Sequence, residues 1–326
     1  MTAALLFLGY YVAAISRPAS ADTGSDIFVI KRGEGVHGIS QRLQESGLVR
    51  NKWDFEVYVW LQGWGPRLQA GEYRIPKNVN IRELARMLAF GHEAAPERSI
   101  TIVEGWTIDD IAGYLEREGV VGADDFRAAT SRMANSPLIS SLQDKPAEAT
   151  LEGYLFPDTY RILKGATAEE LVLKMLTNFE AKLTPELRQA IAARGQSVFA
   201  TITMASILER EIRRPADLPV AAGVFYARLS ANKLLESDAT LNYVLPATDR
   251  KSRLNAVDLN NPSPYNSYRH VGLPPGPISN PGLKAIEAAI YPEQKGYWFF
   301  LTKPDGETIF SKTGAEHLRN KQRYLR

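Results

Sequence analysis

Two stretches of this sequence are copies of one local pattern, and that pattern leaves the backbone few choices. FVIKRGEGVHGISQRLQESGLV occupies residues 28–49 and ITIVEGWTIDDIAGYLEREGVV occupies residues 100–121. They align without a gap: Ile30 falls on Ile102, Gly33 on Gly105, Ile39 on Ile111, Leu43 on Leu115, Gly47 on Gly119 and Val49 on Val121. Each reads as a short apolar strand, a glycine turn and an amphipathic helix. Apolar residues recur at 36, 39 and 43 and again at 108, 111 and 115, the spacing of one helical face. Thr107 stands where an N-cap is wanted, with Asp109 and Asp110 in the positive first turn. Gly47 and Gly119 suit a left-handed helix stop.

An apolar aromatic helix at 52–62, a turn and strand in AGEYRIP, and a helix at 80–90 lie between the copies. Residues 26–122 are therefore expected to form one small α+β domain. Residues 123–150 read as a helix and a polar connector. From 151 the pattern is mostly helical, with helices expected at 167–182, 184–194, 197–212, 217–232 and 281–290. Strands at 297–302 and 307–311, around Pro304-Asp305-Gly306, read as a hairpin, and a helix at 313–325 closes the chain. The expected fold class is α+β: a small N-terminal domain of repeated βα units, then a mostly helical domain, 151–326, with a C-terminal hairpin.

Composition narrows the function. The 326 residues allow roughly two domains, and 44% apolar residues are enough to bury a core in each. Lys and Arg number 39 against 37 Asp and Glu, which excludes a strongly basic nucleic-acid surface. With no cysteine, disulfides, thiolate metal sites and cysteine nucleophiles are excluded together. His37, His92, His270 and His317 are scattered, without the paired spacing of metal ligands, so no histidine metal site is expected.

Residues 2–16 are uncharged and mostly apolar. As a helix they span about 23 Å, short of the roughly 30 Å hydrocarbon core. A membrane anchor, a signal peptide ending at Ala19-Ser20-Ala21 and a buried helix all fit. No Lys or Arg precedes the apolar run, although a targeting segment favours one. The Pro/Ala/Ser/Gly linker at 18–25 favours export, and residues 1–25 are expected to be a membrane segment and linker.

Four stretches can carry chemistry: LEGYLFPDTY at 151–160, ASILEREI at 205–212, LESDATLNY at 235–243 and NPSPYNSYRHVGLPPGPISNPG at 261–282. In the helix around 197–212, positions 203, 206, 210, 213 and 214 form a polar face. Glu209 lies in line with Val198, Ile202, Ala205 and Ile212, and Glu211 in line with Ala200, Met204 and Ile207. A carboxylate on an apolar stripe either pairs with Arg210, Arg213 or Arg214 or is desolvated, and desolvation raises its pKa toward what a general acid needs. Periodicity does not choose between the two glutamates. The proline-rich 261–282 stretch exceeds the roughly 12–15 residues of ordinary long loops, as functional loops do. Its Tyr265, Tyr268 and Asn266 offer the flat faces and hydrogen-bond groups that suit sugars.

Together these stretches resemble the endolytic murein transglycosylase family (MltG/YceG-like). The resemblance rests on EGWT at 104–107, LEGYLFPDTY, ASILERE at 205–211, SDATLNY at 237–243 and YNSYRHVGLPPGPISNPG at 265–282, in order and across nearly the whole chain from about residue 27. It departs at Asp238-Ala239-Thr240, where the family often has Asp-Pro-Thr, at Ser267, where it often has Thr, and in the short uncharged N-terminus. The resemblance implies a single N-terminal membrane segment in the cell inner membrane, a LysM-like subdomain, a periplasmic catalytic domain and no cofactor. It puts the catalytic glutamate on Glu209. It implies cleavage of the N-acetylmuramic acid–N-acetylglucosamine bond within peptidoglycan strands to give 1,6-anhydro ends, terminating nascent strands. Tyr265, Asn266 and Tyr268 are then expected to position sugar, with Asp238 a brace or a second carboxylate. Partners would be glycan strands, cell-wall synthases and the membrane, and no nucleic acid. The alternatives are a two-carboxylate muramidase, with Asp238 or Glu152 beside Glu209, and a non-catalytic glycan-binding scaffold.

Overall fold

The computed structural model describes residues 11–12, 14–20, 22, 24–91, 97–137, 139–163, 165–246 and 254–325. Most of the apolar N-terminal run, and Ala21 of the Ala-Ser-Ala site, lie outside the described residues. The chain divides into two compact units, Met1–Arg98 and Ser99–Arg326. The architecture is mixed helix and sheet, an α+β fold with three two-stranded sheets.

In the first unit β1 (Ser25–Ile30) is followed by α1 (Val36–Glu45), α2 (Lys52–Leu61), β2 (Gly71–Pro76) and α3 (Ile81–Phe90). β1 and β2 pair antiparallel, with Phe28 opposite Tyr73 and Asp26 opposite Ile75. Alternation along β1 buries Phe28 and Ile30 and turns Ile27 and Val29 to solvent. Ile39, Leu43, Phe55, Val59 and Leu84 complete a core against which Ile15 is also buried.

The division between the units falls inside β3 (Glu97–Thr101), so the second copy of the repeat, 100–121, belongs to the second unit rather than to a domain ending at 122. β3 pairs not with a strand of the first unit but with β4 (Thr159–Leu163), a strand that follows the LEGYLFP turn. Ile102 N donates to Asp158 O at 3.0 Å, extending that pairing past β3. α4 (Ile108–Arg117) packs on α5 (Ala123–Met133), and α5 on α6 (Ala168–Lys182). α7 (Pro185–Ala193) opens with Thr184 as N-cap and Pro at its first position, where the missing N–H costs nothing.

α8 (Val198–Glu211) is the central helix, packed by α9 (Leu218–Ser230), α10 (Asp238–Val244) and α12 (Leu283–Ile290), with the short α11 (Ala256–Leu259) inside the long connection. β5 (Phe299–Thr302) and β6 (Thr308–Ser311) form the expected antiparallel hairpin, and α13 (Gly314–Tyr324) packs on it. α8 corrects the expected polar face, because Thr201 through Leu208 are all buried. Thr203 and Ser206 sit inside because their hydroxyls donate to the backbone carbonyls of Phe199 and Thr203, each at 2.8 Å.

Both copies of the repeat adopt one backbone. Gly33 and Gly105 have φ of +79°, and Gly47 and Gly119 have φ of +71° and +60°, a region that an L-residue enters only with strain. Leu48 N donates to Leu43 O at 2.9 Å, and Val120 N to Leu115 O at 2.8 Å, as the helix stops.

Candidate active site

The PPGPISNPG segment runs alongside α8 and meets it residue by residue. Ile278 N donates to Ser206 Oγ at 2.9 Å, Ser279 Oγ donates to Ser206 O at 3.2 Å, and Gly282 N donates to Glu209 Oε2 at 2.9 Å. Gly153 of the LEGY motif, at φ +89°, lies beneath this segment. A Cβ there would come within 2.6 Å of Pro277 and 2.8 Å of Ile202, so the close approach requires glycine.

Asn280 ties the parts together. Its Oδ1 accepts from Gly153 N at 3.0 Å and Leu155 N at 2.9 Å. Its Nδ2 donates to Trp106 O at 3.0 Å and Glu152 Oε1 at 2.9 Å. Its backbone pairs in both directions with Gly105 and Trp106. Asn280 is fully buried, so each of these polar groups needs the partner it has.

Glu209 is partly buried on α8, two residues from its end. Burial pushes its carboxyl pKa above the usual range, the negative charge of Glu104 pushes it the same way, and the Gly282 N–H opposes both. Among the described residues its Oε1 accepts no hydrogen bond and no ion pair holds it. Arg210 turns away and donates to Gly105 O at 3.1 Å. A half-buried carboxyl with a raised pKa and one free oxygen holds its proton to higher pH than an exposed one and has an atom from which to deliver it.

Glu211 is also raised, by burial first, but its Oε1 accepts from Ser237 Oγ and, at 3.2 Å, from Ala239 N. It closes the start of α10, a helix with no local side-chain cap. The choice that periodicity left open is thus a difference in partners: Glu211 braces a helix, while Glu209 keeps an oxygen available.

Glu152, 4% exposed, is pushed up to about 8, chiefly by burial. Its oxygens accept from Ile108 N at 3.1 and 3.2 Å and from Asn280 Nδ2. It closes the start of α4 and has little surface on which to meet a substrate.

The remaining sequence-derived residues take different places. Asp238 Oδ1 accepts from Tyr268 OH at 2.6 Å. Tyr265 is partly exposed and packs against Tyr243 with ring centroids 5.1 Å apart. Asn266 has no exposed surface: its Nδ2 donates to Leu259 O and Asn261 O, and its Oδ1 accepts from Tyr268 N. It holds the loop's shape from inside and offers no group to a sugar, which corrects the expectation of direct contact. Asn280, Gly282 and Glu104 were not singled out by sequence reasoning, although all three lie in stretches it marked. Among the described residues no group of three or more His, Asp or Glu could hold a metal ion.

The sequence profile of the YceG-like family matches residues 28–323. The chain belongs to the YceG-like family. A relative in Bacillus subtilis named endolytic murein transglycosylase is 30% identical over 325 residues, which cover 97% of this chain and 89% of that protein. A Streptococcus pneumoniae protein of the same name is 31% identical over 96% of this chain, which spans only 61% of its length. The crystal structure of a yceG-like protein from Listeria monocytogenes aligns with a TM-score of 0.60 at 31% identity, covering 92% of this chain and all of that one. These YceG-like matches run across both units, so the α8 centre and the N-terminal unit belong to one family architecture.

Proposed function

We propose that this chain is a lytic transglycosylase of peptidoglycan, cutting within glycan strands between N-acetylmuramic acid and N-acetylglucosamine. The observation that carries the reading is Glu209, a half-buried carboxyl with raised pKa, fixed by one backbone N–H and with one oxygen open. Its proton passes to the glycosidic oxygen as the bond to the muramic C1 breaks. The carboxylate left behind takes the proton of the muramic C6 hydroxyl, whose oxygen closes on C1. No water enters, and the product is a 1,6-anhydro end.

Tyr265 supports this reading as a partly exposed aromatic face on the long loop, and Asp238 with Tyr268 as the brace of that loop. Asn266 acts on sugar only through that loop. The two-carboxylate alternative loses ground at the partners first considered for it, since Glu152 is closed off by Ile108 and Asn280, and Asp238 is bonded to Tyr268. The relatives' name supports the substrate class. In the same reading the first unit is the LysM-like module, residues 1–25 hold the chain to the inner membrane with catalysis on the periplasmic side, and cell-wall synthases are the source of the nascent strand. Among the described residues no single helix is long and apolar enough to cross a membrane.

The test is mass spectrometry of soluble fragments released from purified strands. Wild type is expected to release anhydro-ended fragments, and Glu209→Gln to release them about 10²- to 10⁴-fold more slowly. Reducing-ended fragments would replace this reading with hydrolysis.

A further inference from the structure

The EGWT glutamate, Glu104, has no part in the mechanism above, yet the fold delivers it to the same glycine that holds Glu209. Gly282 has an ordinary φ of −77°, so nothing in its backbone demands glycine. Space does. A Cβ on Gly282 would lie 1.9 Å from Glu104 Oε1 and 2.4 Å from its Cδ, because the carboxyl of Glu104 already occupies that place. The N–H of Gly282 meanwhile donates to Glu209 Oε2 at 2.9 Å. The next residue, Gly105, lies against the stem of Glu209, with the position of an added Cβ 3.6 Å from Glu209 Cγ. One glycine is thus flanked by two carboxyl groups brought from positions far apart in the chain.

Resting on the reading of Glu209 as the acid, we infer that Glu104 is the second carboxylate of the centre and acts through Glu209, its negative charge keeping the proton on the acid between turnovers. The division of roles follows from exposure. Glu104 is solvent-exposed and Glu209 partly buried, so the cost of desolvation falls on Glu209 and it is Glu209 that is raised. Glu104 is accordingly the charge that raises Glu209, second to burial among the upward influences.

The other charged groups of the elements packed on α8 have different engagements. Arg210 bonds Gly105 O, Glu211 bonds Ser237 and Ala239, and Asp238 of α10 bonds Tyr268. On α12 Lys284 pairs with Glu287, on α9 Arg228 pairs with Glu236, and on α7 Arg188 pairs with Glu180. On α7 Glu186 bonds Thr184 at the helix start.

The experiment is the pH profile of kcat/KM for strand cleavage in wild type, Glu104→Gln and Gly282→Ala, each first checked for unchanged Tm. Removing the charge of Glu104 lowers the pH at which Glu209 loses its proton. The alkaline limb in Glu104→Gln should therefore move toward acid, with a severalfold loss on that limb and a change of no more than about twofold on the acid side. Gly282→Ala should move the limb the same way, because its methyl group pushes the intact Glu104 carboxyl off. A superimposable profile in Glu104→Gln overturns the inference. So does a loss of 10²-fold or more at every pH, which would mean that Glu104 meets the reacting atoms itself. A readout free of turnover separates this inference from the proposed function. The carboxylic-acid band in infrared spectra that Glu209→Gln removes should titrate at lower pH in Glu104→Gln, even if wild type cuts no strand. An unmoved titration sinks the pairing alone.

Discussion

Residues 28–49 and 100–121 build the same strand, turn and helix, but the two turns are held by different means. In the first copy Glu34 N donates to Lys31 O, and the Glu34 side chain closes the turn by accepting from Lys31 N at 2.9 Å and from Arg42 of the following helix. Gly33 is exposed, with nothing within 4 Å of an added Cβ. In the second copy Trp106 N makes the matching bond to Val103 O, but Gly105 is buried, and the turn is held by Asn280, distant in the sequence. Arg32 of the first copy becomes Glu104 in the second. The helix starts differ as well. α1 begins at Gly35 without a side-chain cap, whereas α4 has Thr107, the reciprocal bond from Asp110, and Glu152 on Ile108 N. A self-sufficient turn can sit at a surface. A turn tied down by distant residues can hold a charged side chain to a fixed place, and that is the copy found at the centre.

The comparison sharpens most at Glu152, which has no counterpart closing the first copy's helix. Its folded-state pKa of about 8 lies well above the ordinary glutamate value of 4.5. The stability it confers is complete below about pH 4.5 and is lost as pH rises through 8, so the second unit should weaken over that window by roughly 5 kcal/mol. Glu152→Gln keeps an acceptor for Ile108 and Asn280 and should flatten the slope. Urea midpoints measured from acid to mildly alkaline pH decide it, and an equal slope in the variant would show that another group sets the dependence.

A smaller effect separates stability from chemistry. Gly33→Ala and Gly105→Ala each force an L-residue to φ +79° and should each cost about 1 kcal/mol in thermal unfolding. Only Gly105→Ala should slow strand cleavage, because only that turn carries Glu104 and touches Glu209. Equal losses of activity would erase the distinction between the copies. Smallest of all, Thr107→Ala should destabilise the second unit by about 1 kcal/mol, while Gly35→Asn should stabilise the first by a few tenths, both read by denaturant melts.

The helices were legible because their periodicity is local: the expected 197–212 and 281–290 are α8 and α12 within two residues at each end. α10 was not legible. It is short and lacks a cap of its own, and the group that closes its start is Glu211 of another helix. β4 buries Tyr160 and Ile162 in strict alternation, but the irregular LEGYLFP turn before it hid the strand. The candidate site was legible as a set of stretches and not as roles. Glu209 and Glu211 stand equally well on apolar stripes, and only their tertiary partners tell them apart. Asn266 and Asn280 both stand in polar loop sequence, and only burial shows that each holds its own chain together.

Asn280 also orders events in time. Its bonds reach back 125 to 174 residues along the chain, to Leu155, Gly153, Glu152 and Trp106. Closing loops of that length is entropically slow, and local helices form long before such contacts. A newly made chain that has already formed α8 therefore lacks the Gly282 N–H that fixes Glu209. In the reading of Glu209 as the acid, its chemistry waits until the segment ending at Gly282 has been synthesised and has docked, so that a copy truncated before Gly282 is expected to be silent toward strands.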